Sequence, residues 1–180
     1  MGRMRKMDKK EDIKRINEEL AASFSKIEAK LQEDQTIAGL FETLFAGIEK
    51  EFTVPFVWLT LMDNEKAAPV IAAIKSSDIL RTRLCVISPE LFCQLLPSGR
   101  KPVLVNKDLQ PFYKLLPSSS KYFVKSLAIV PFSIGDHIIG CWNNGDAVGD
   151  RYSPDMETGL LANLAVSVSR SLTVLIEANI

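Results

Sequence analysis

The residues able to do chemistry are few and scattered. His137 is the single histidine, and Cys85, Cys93 and Cys141 are the three thiols. A histidine works as a general base when a partner orients it within hydrogen-bond reach of a proton. His137 follows Gly135-Asp136, a turn by composition, and the sequence places no base partner near it. The thiols lack metal-ligand spacing, and their odd number suits a reduced protein better than a disulfide framework. Burial accounts for Cys85 and Cys93 better than redox sensing does, and Cys141 alternates onto a sheet face as a small core residue. The sequence contains no GxSxG elbow, GxxxxGKS/T loop, HExxH pair or CxxC. The expectation is a non-enzymatic chain with no catalytic residues, no metal and no cofactor.

Binding is better supplied. Trp58, Thr60, Phe112, Phe123 and Trp142 could wall a mainly apolar pocket, with Arg81, Arg83, Lys125, Asn143 and Asn144 as its polar groups. Taken singly, core packing explains such aromatics and a solvated surface explains such cations. As a set they define a candidate site between a sheet and an irregular insert.

A hairpin must position several of them. Ser126–Ile134 and Ile138–Trp142 are apolar runs flanking Gly135-Asp136, a strong hairpin signal. Pro131 lacks a backbone donor and belongs at a bulge or at the end of strand pairing. Beyond Trp142, Asn143-Asn144-Gly145-Asp146 and Gly149-Asp150 read as turn formers, and Ser153-Pro154-Asp155 reads as a helix start. The helix expected from Asp155 to about Ala178 is apolar over most of its circumference, so it must be buried on more than one side. Leu164, Val168, Leu172 and Leu175 are its candidate contacts with a second subunit, and Ala162, Val166 and Val174 add a further apolar side.

Towards the N-terminus, residues 1–10 are expected to be a disordered tail. Ile13, Ile16, Leu20, Phe24, Ile27 and Leu31 then recur at steps of three and four, marking an amphipathic helix over 11–33. At 1.5 Å per residue, its Glu11–Gln32 stretch is about 33 Å long. Its stripe can pair with the same helix of a second copy as a coiled or bundled homodimer, or pack on its own domain; spacing fits both. Leu40, Phe41, Leu44, Phe45 and Ile48 mark a second helix, and Phe56–Met62 a central strand covered on both faces. Pro69–Ile74 is read as the next strand. Leu84–Ile87 and Pro102–Val105 are short strands, Ser88-Pro89-Glu90 opens a helix ending near Leu96, and Gln110–Leu116 is a short helix stopped by Pro117.

Composition bounds the rest. The 180 residues suit one domain, here 34–180, plus an accessory helix. With 22 basic and 22 acidic residues, the chain has no electrostatic footprint for nucleic acid. The basic start is followed by charged residues, which argues against a secretory signal, and no apolar run reaches the roughly 20 residues of a membrane span. A cytoplasmic location is expected, with neither membrane nor nucleic acid as a partner.

The order of elements resembles that of GAF domains, the small-molecule-sensing relatives of PAS domains. The nearest likeness is to family 484 of the bacterial domains of unknown function, itself GAF-like. It is carried by Asn17-Glu18, Phe56-Val57-Trp58-Leu59, Lys125-Ser126-Leu127-Ala128, Val130-Pro131-Phe132, Gly140, Asp146, Arg151-Tyr152, Pro154, Met156, Thr158 and Leu161. Where that family often has a Gly-Ser pair after the hairpin, this chain has Asn143-Asn144. The resemblance implies an α+β fold, a GAF/PAS-like antiparallel sheet with helices on its faces, preceded by a long amphipathic helix. It also implies a sensory or regulatory role with an unidentified small-molecule ligand and a separate signalling partner. The alternative is a structural dimerisation or protein-interaction module without a ligand.

Overall fold

The computed structural model describes residues 2–97 and 99–179, with side chains from residue 8 onward. Helix α1 (Gly2–Leu31) is followed by α2 (Ile37–Phe52), β1 (Phe56–Met62) and α3 (Ala68–Ser76). A 3-10 turn at Arg81–Arg83 leads to β2 (Leu84–Ile87), α4 (Pro89–Leu95) and β3 (Val103–Val105). A second 3-10 helix (Gln110–Leu115) precedes the hairpin of β4 (Ser126–Ile134) and β5 (His137–Asp146), and α5 (Gly159–Ala178) ends the described chain.

The strands form one sheet in the order β2-β1-β5-β4-β3, antiparallel throughout except for the parallel β1–β2 pair. Strand alternation divides the core in two. Val57, Leu59, Leu61, Val130, Phe132 and Trp142 meet α1, α2, α3 and α5 on one face. Trp58, Met62, Leu127, Ile129 and Cys141 meet α4 and the 110–115 helix on the other. The sheet therefore lies between a helical side and an insert side.

Local chemistry sets the element ends. The Thr36 hydroxyl accepts from the Gly39 amide at 3.0 Å to start α2, and Thr53, left-handed at φ 53°, closes it. Gly135, at φ 57°, makes the hairpin turn. A register shift falls between Phe132 and Ser133, one residue beyond Pro131, and pairing with β3 reaches only Ile129, so the proline stands near a bulge and past the end of one pairing. Hydroxyls of α5 take up backbone donors there: Ser133 N–H donates to Ser169 Oγ and Gly135 N–H to Thr173 Oγ1, each at 2.9 Å.

Several elements differ from their sequence reading. Pro69–Ile74 is part of helix α3, because Asn64 Oδ1 accepts from the Ala67 amide at 2.9 Å and Pro69 stands in the first turn. Val70 and Ile74, four apart, are its buried pair, a helical period hidden in a short apolar run. Asn143-Asn144-Gly145-Asp146 continue β5 as a strand, paired with Phe56–Trp58 on β1 and Ser126–Ile129 on β4. Helix α5 begins at Gly159; Ser153 Oγ donates to the Asp155 carboxylate in the preceding turn and does not cap a helix. Residues 2–10, expected as a disordered tail, belong to α1.

The dimer candidates also divide. Phe24, Ile27, Leu31, Leu164, Val168 and Leu172 are buried in the chain's own core, so they are not free surface; Leu175 is partly buried against it. Ile13, Ile16 and Leu20 remain exposed on α1, as do Val166 and Val174 on α5. Contrary to the expectation that no apolar run approaches a membrane span, α5 is long and apolar enough by length and composition to cross one. Its Leu164, Ala165, Val168 and Leu172 pack into the helical-side core, while the other positions along it are partly or fully exposed.

Gly140 sets how closely β5 can approach β1. A Cβ there would stand 2.3 Å from the Thr60 carbonyl oxygen and 3.0 Å from Leu61 Cα, both backbone atoms with little freedom to move. Gly140→Ala is expected to lower stability by about 3 kcal/mol, seen as a lower urea midpoint at unchanged slope. Wild-type stability in that variant would show that the two strands can separate without cost.

Candidate functional site

The expected pocket between sheet and insert is closed. Trp58 Nε1–H donates to the Leu115 carbonyl at 2.7 Å and Thr60 Oγ1–H to the same oxygen at 2.8 Å. Asn143 Nδ2–H donates to Thr60 Oγ1 at 2.9 Å, and the Cys141 thiol reaches Asn143 Oδ1 at 3.5 Å. This chain of buried hydrogen bonds ties the 110–115 helix onto the sheet, with Leu115, Leu116, Phe92 and Leu96 filling the space around it. Burial pushes the Cys141 thiol up to about 12, so it stays protonated and inert at neutral pH.

The candidate site residues are therefore dispersed. Trp58, Thr60 and Asn143 are joined in that network, and Phe112 packs against the same core. Trp142 lies on the opposite face, fully buried, its ring stacked on Phe132 at 6.3 Å. Phe123 and Lys125 are exposed, and Arg81 forms a surface ion pair with Asp78 at 3.2 Å. Arg83 pairs with Glu49 at 2.5 Å and shares with Trp58 a crevice of about 140 Å³. Cys85 is half-buried, while Cys93, expected to be buried, is exposed on α4.

A roomier cleft opens on the helical side. It has a volume of about 760 Å³ and lies among α1, α2, the start of α5 and the end of the sheet. Leu20, Phe24, Phe52, Leu160, Leu161 and Leu164 give it apolar walls, and Asn144, Arg151 and Tyr152 are its main polar groups. A second hollow, of about 800 Å³, is bordered by exposed residues of a loop and of the 110–115 helix, such as Lys107, Asp108 and Pro111. The first is the better candidate because its walls are mainly apolar side chains, with Phe24 and Leu164 buried at its depth.

Arg151 builds the inner end of this cleft. Its guanidinium donates to Asp146 Oδ2 at 3.1 Å and to the Phe52 carbonyl, joining the ends of β5 and α2 to the loop before α5. It also lies 5.7 Å from the centre of the Tyr152 ring. Burial raises the Tyr152 phenol above its ordinary range, although Arg151 and hydrogen bonds from Asn144 and Arg151 act in the opposite direction. The hydroxyl is therefore neutral at physiological pH. Asn144 is 4% exposed, and its Oδ1 has no hydrogen-bond partner among the described residues.

Of the ten pocket candidates, Asn144 alone lines this cleft. Arg151 and Tyr152 were absent from that set because the turn-rich sequence around them gave no sign that they face a cavity. A signal did exist: Asn17, Arg151, Tyr152, Met156 and Leu161, which carry the family resemblance, all border it. Among the described residues, no group of three or more His, Cys, Asp or Glu is arranged to hold a metal ion.

No protein-family model matches the chain, and no curated protein matches it. Among solved structures, it is similar to a far-red absorbing dark state with bound biliverdin IXa. That likeness has a TM-score of 0.55 at 14% identity and covers 87% of this chain and 98% of the other. The fold is GAF-like. At that identity the likeness speaks to the architecture alone.

Two expectations follow. Iodoacetamide at mildly alkaline pH should alkylate Cys93 first and leave Cys141 unmodified until denaturant is added; mass spectrometry of peptides reads the order, and early labelling of Cys141 would show an open insert side. Arg151→Met should lower the urea unfolding midpoint by the equivalent of about 1–3 kcal/mol, because Asp146 is left buried without its partner. Arg151→Lys should recover only part of that, since a lysine cannot span two acceptors in fork geometry.

Proposed function

We propose that the chain is a non-enzymatic, GAF-like regulatory module that works as a homodimer and senses a small molecule in the cleft between α1 and α5. The observation that carries this reading is the double use of these two helices. They wall the cleft, and they also carry the uncovered apolar residues Ile13 and Ile16 on α1 and Val166 and Val174 on α5. A second copy is the simplest partner for an amphipathic stripe that runs beyond its own core. An occupant of the cleft would change how α1 lies against α5, and so how the two copies meet. A separate protein would then receive the signal.

A second reading, a structural dimerisation module without a ligand, draws on the closed insert side, where Leu115 and its neighbours occupy the space a ligand would need. The two readings share the dimer and differ in the cleft.

Sedimentation at micromolar concentration should give a dimer. Ile13→Glu with Ile16→Glu should give a folded monomer whose melting temperature falls only by the stabilisation that dimerisation supplies, because neither side chain is in the core. By contrast, Leu164→Asp with Val168→Asp should prevent folding, because both are fully buried. A monomeric wild type would remove the dimer from the proposal. Native mass spectrometry separates the two readings: a retained small molecule favours sensing, and a ligand-free dimer favours the structural role.

A further inference from the structure

The balance of 22 basic against 22 acidic residues conceals a local excess. Between Asn106 and Lys125 stand four lysines, Lys107, Lys114, Lys121 and Lys125, against one acid, Asp108. The same stretch carries the two most exposed aromatic side chains among the described residues, Tyr122 at 70% and Phe123 at 63%. A lone apolar side chain in water is ordinary, but two adjacent rings with a lysine before them and another two residues on form a surface with a purpose to explain.

The fold gathers these groups. Tyr113 and Tyr122 meet edge to face with ring centres 6.4 Å apart, and the Lys121 ammonium lies 5.1 Å from the centre of the Tyr122 ring. Tyr113 also borders the hollow of about 800 Å³, with exposed Lys107 and Lys125 on its margin. Asp108 on that margin and Asp150 next to it reduce the positive charge without cancelling it. Exposed Val148 is held at the same place, its carbonyl accepting from Ser126 Oγ–H at 2.7 Å. The turn that presents the rings also satisfies part of its own backbone: Ser120 N–H donates to the Pro117 carbonyl and Phe123 N–H to the Ser120 carbonyl, each at 3.0 Å. Paired backbone lowers the cost of leaving water.

We infer that the 118–125 turn is a membrane-contact tip: Tyr122 and Phe123 enter the interfacial layer of an anionic bilayer, while Lys107, Lys121 and Lys125 meet its phosphate headgroups. The charge calls for an anionic partner, and the rings decide which. Single-stranded nucleic acid stacks its bases on open aromatic faces, whereas Lys121 and Tyr113 already crowd the Tyr122 ring. An acidic protein would have to bring a recess shaped to the protruding rings. A bilayer surface needs no matching shape, because its headgroup layer takes amphipathic rings and lets lysines reach its phosphates. Val124, beside the tip, packs into the insert-side core, across the sheet from α1 and α5. Membrane contact here is therefore independent of the cleft and of the proposed dimer. It also departs from the expectation drawn from overall composition, in which the local excess is averaged away.

The test uses the full chain with sucrose-loaded vesicles of phosphatidylcholine, alone or mixed in equal parts with phosphatidylglycerol. The protein should sediment with the mixed vesicles at low salt and stay in solution with phosphatidylcholine alone, and added salt should release it. Phe123→Ser should weaken partitioning about tenfold, and Lys121→Ala with Lys125→Ala about thirtyfold. Melting temperatures should stay close to wild type, because these side chains are partly or fully exposed. Phe123→Trp should keep binding and add a blue shift in fluorescence on the mixed vesicles, which a purely electrostatic contact would not produce. Equal sedimentation with both vesicles, sedimentation with neither, or binding unaffected by Phe123→Ser would overturn the inference. Retention of oligothymidylate or polyglutamate by a chain that ignores the mixed vesicles would assign the patch to nucleic acid or to an acidic protein, and would overturn it too.

Discussion

The helical side depends on one clamp. Arg151 donates to Asp146 at the end of β5 and to the Phe52 carbonyl at the end of α2, and it lies against Tyr152. Asp146 in turn accepts from the Val148 amide at 2.9 Å through its other oxygen, and its backbone carbonyl accepts from the Lys125 amide at 2.8 Å. Sheet, helix and loop thus meet at one partly buried ion pair. A pair of this kind adds little net stability over an apolar substitute, but its geometry fixes how the elements meet, because either charge left alone would be costly. The cleft owes part of its wall to that geometry: the clamp fixes the 147–158 loop, whose Arg151, Tyr152 and Met156 border the space beside α1 and α5.

The two faces of the sheet have been used differently. On the insert side, the Leu115 carbonyl accepts two hydrogen bonds, and the Cys141, Asn143 and Thr60 side chains form a satisfied chain beneath it. Satisfied buried networks rigidify and specify a single arrangement. On the helical side, Asn144 leaves an acceptor unpaired and α5 begins without a side-chain cap. Adjacent residues of one strand, Asn143 and Asn144, therefore point to opposite outcomes. One closes a polar network, and the other buries an acceptor that has no partner among the described residues.

Much of the architecture was legible because strong local signals agreed with the tertiary packing. The Gly135-Asp136 turn between apolar runs, the alternation of Phe56–Met62 and the Ser88-Pro89 helix start all carried through to the structure. Misreadings arose where a local rule was overridden. Asn143–Asp146 look like a turn, yet pairing with β1 and β4 on both sides holds them in a strand. Pro69–Ile74 has β-branched residues in a run too short for periodicity to separate strand from helix. The site was less legible. Spacing showed that the α1 and α5 stripes were apolar but not which copy covered them, and no local pattern revealed that Arg151 would turn inward to Asp146.

The division along α1 gives the strongest reason to connect cleft and assembly. Its C-terminal half, from Phe24 to Leu31, is held in the core: Phe24 sits 4.7 Å from the Phe52 ring, and Ile27 packs within 3.5 Å of where a Cβ on Gly47 would stand. Its N-terminal half carries Ile13 and Ile16 into solvent, and Leu20 is the turning point, 39% exposed and also a wall of the cleft. A helix anchored at one end behaves as a lever about the last residues it buries. Filling or emptying the space beside Leu20 acts close to that pivot, where a small displacement moves the free half furthest. Because Ile13 and Ile16 lie on that half, the geometry of any surface they join would be set at the cleft.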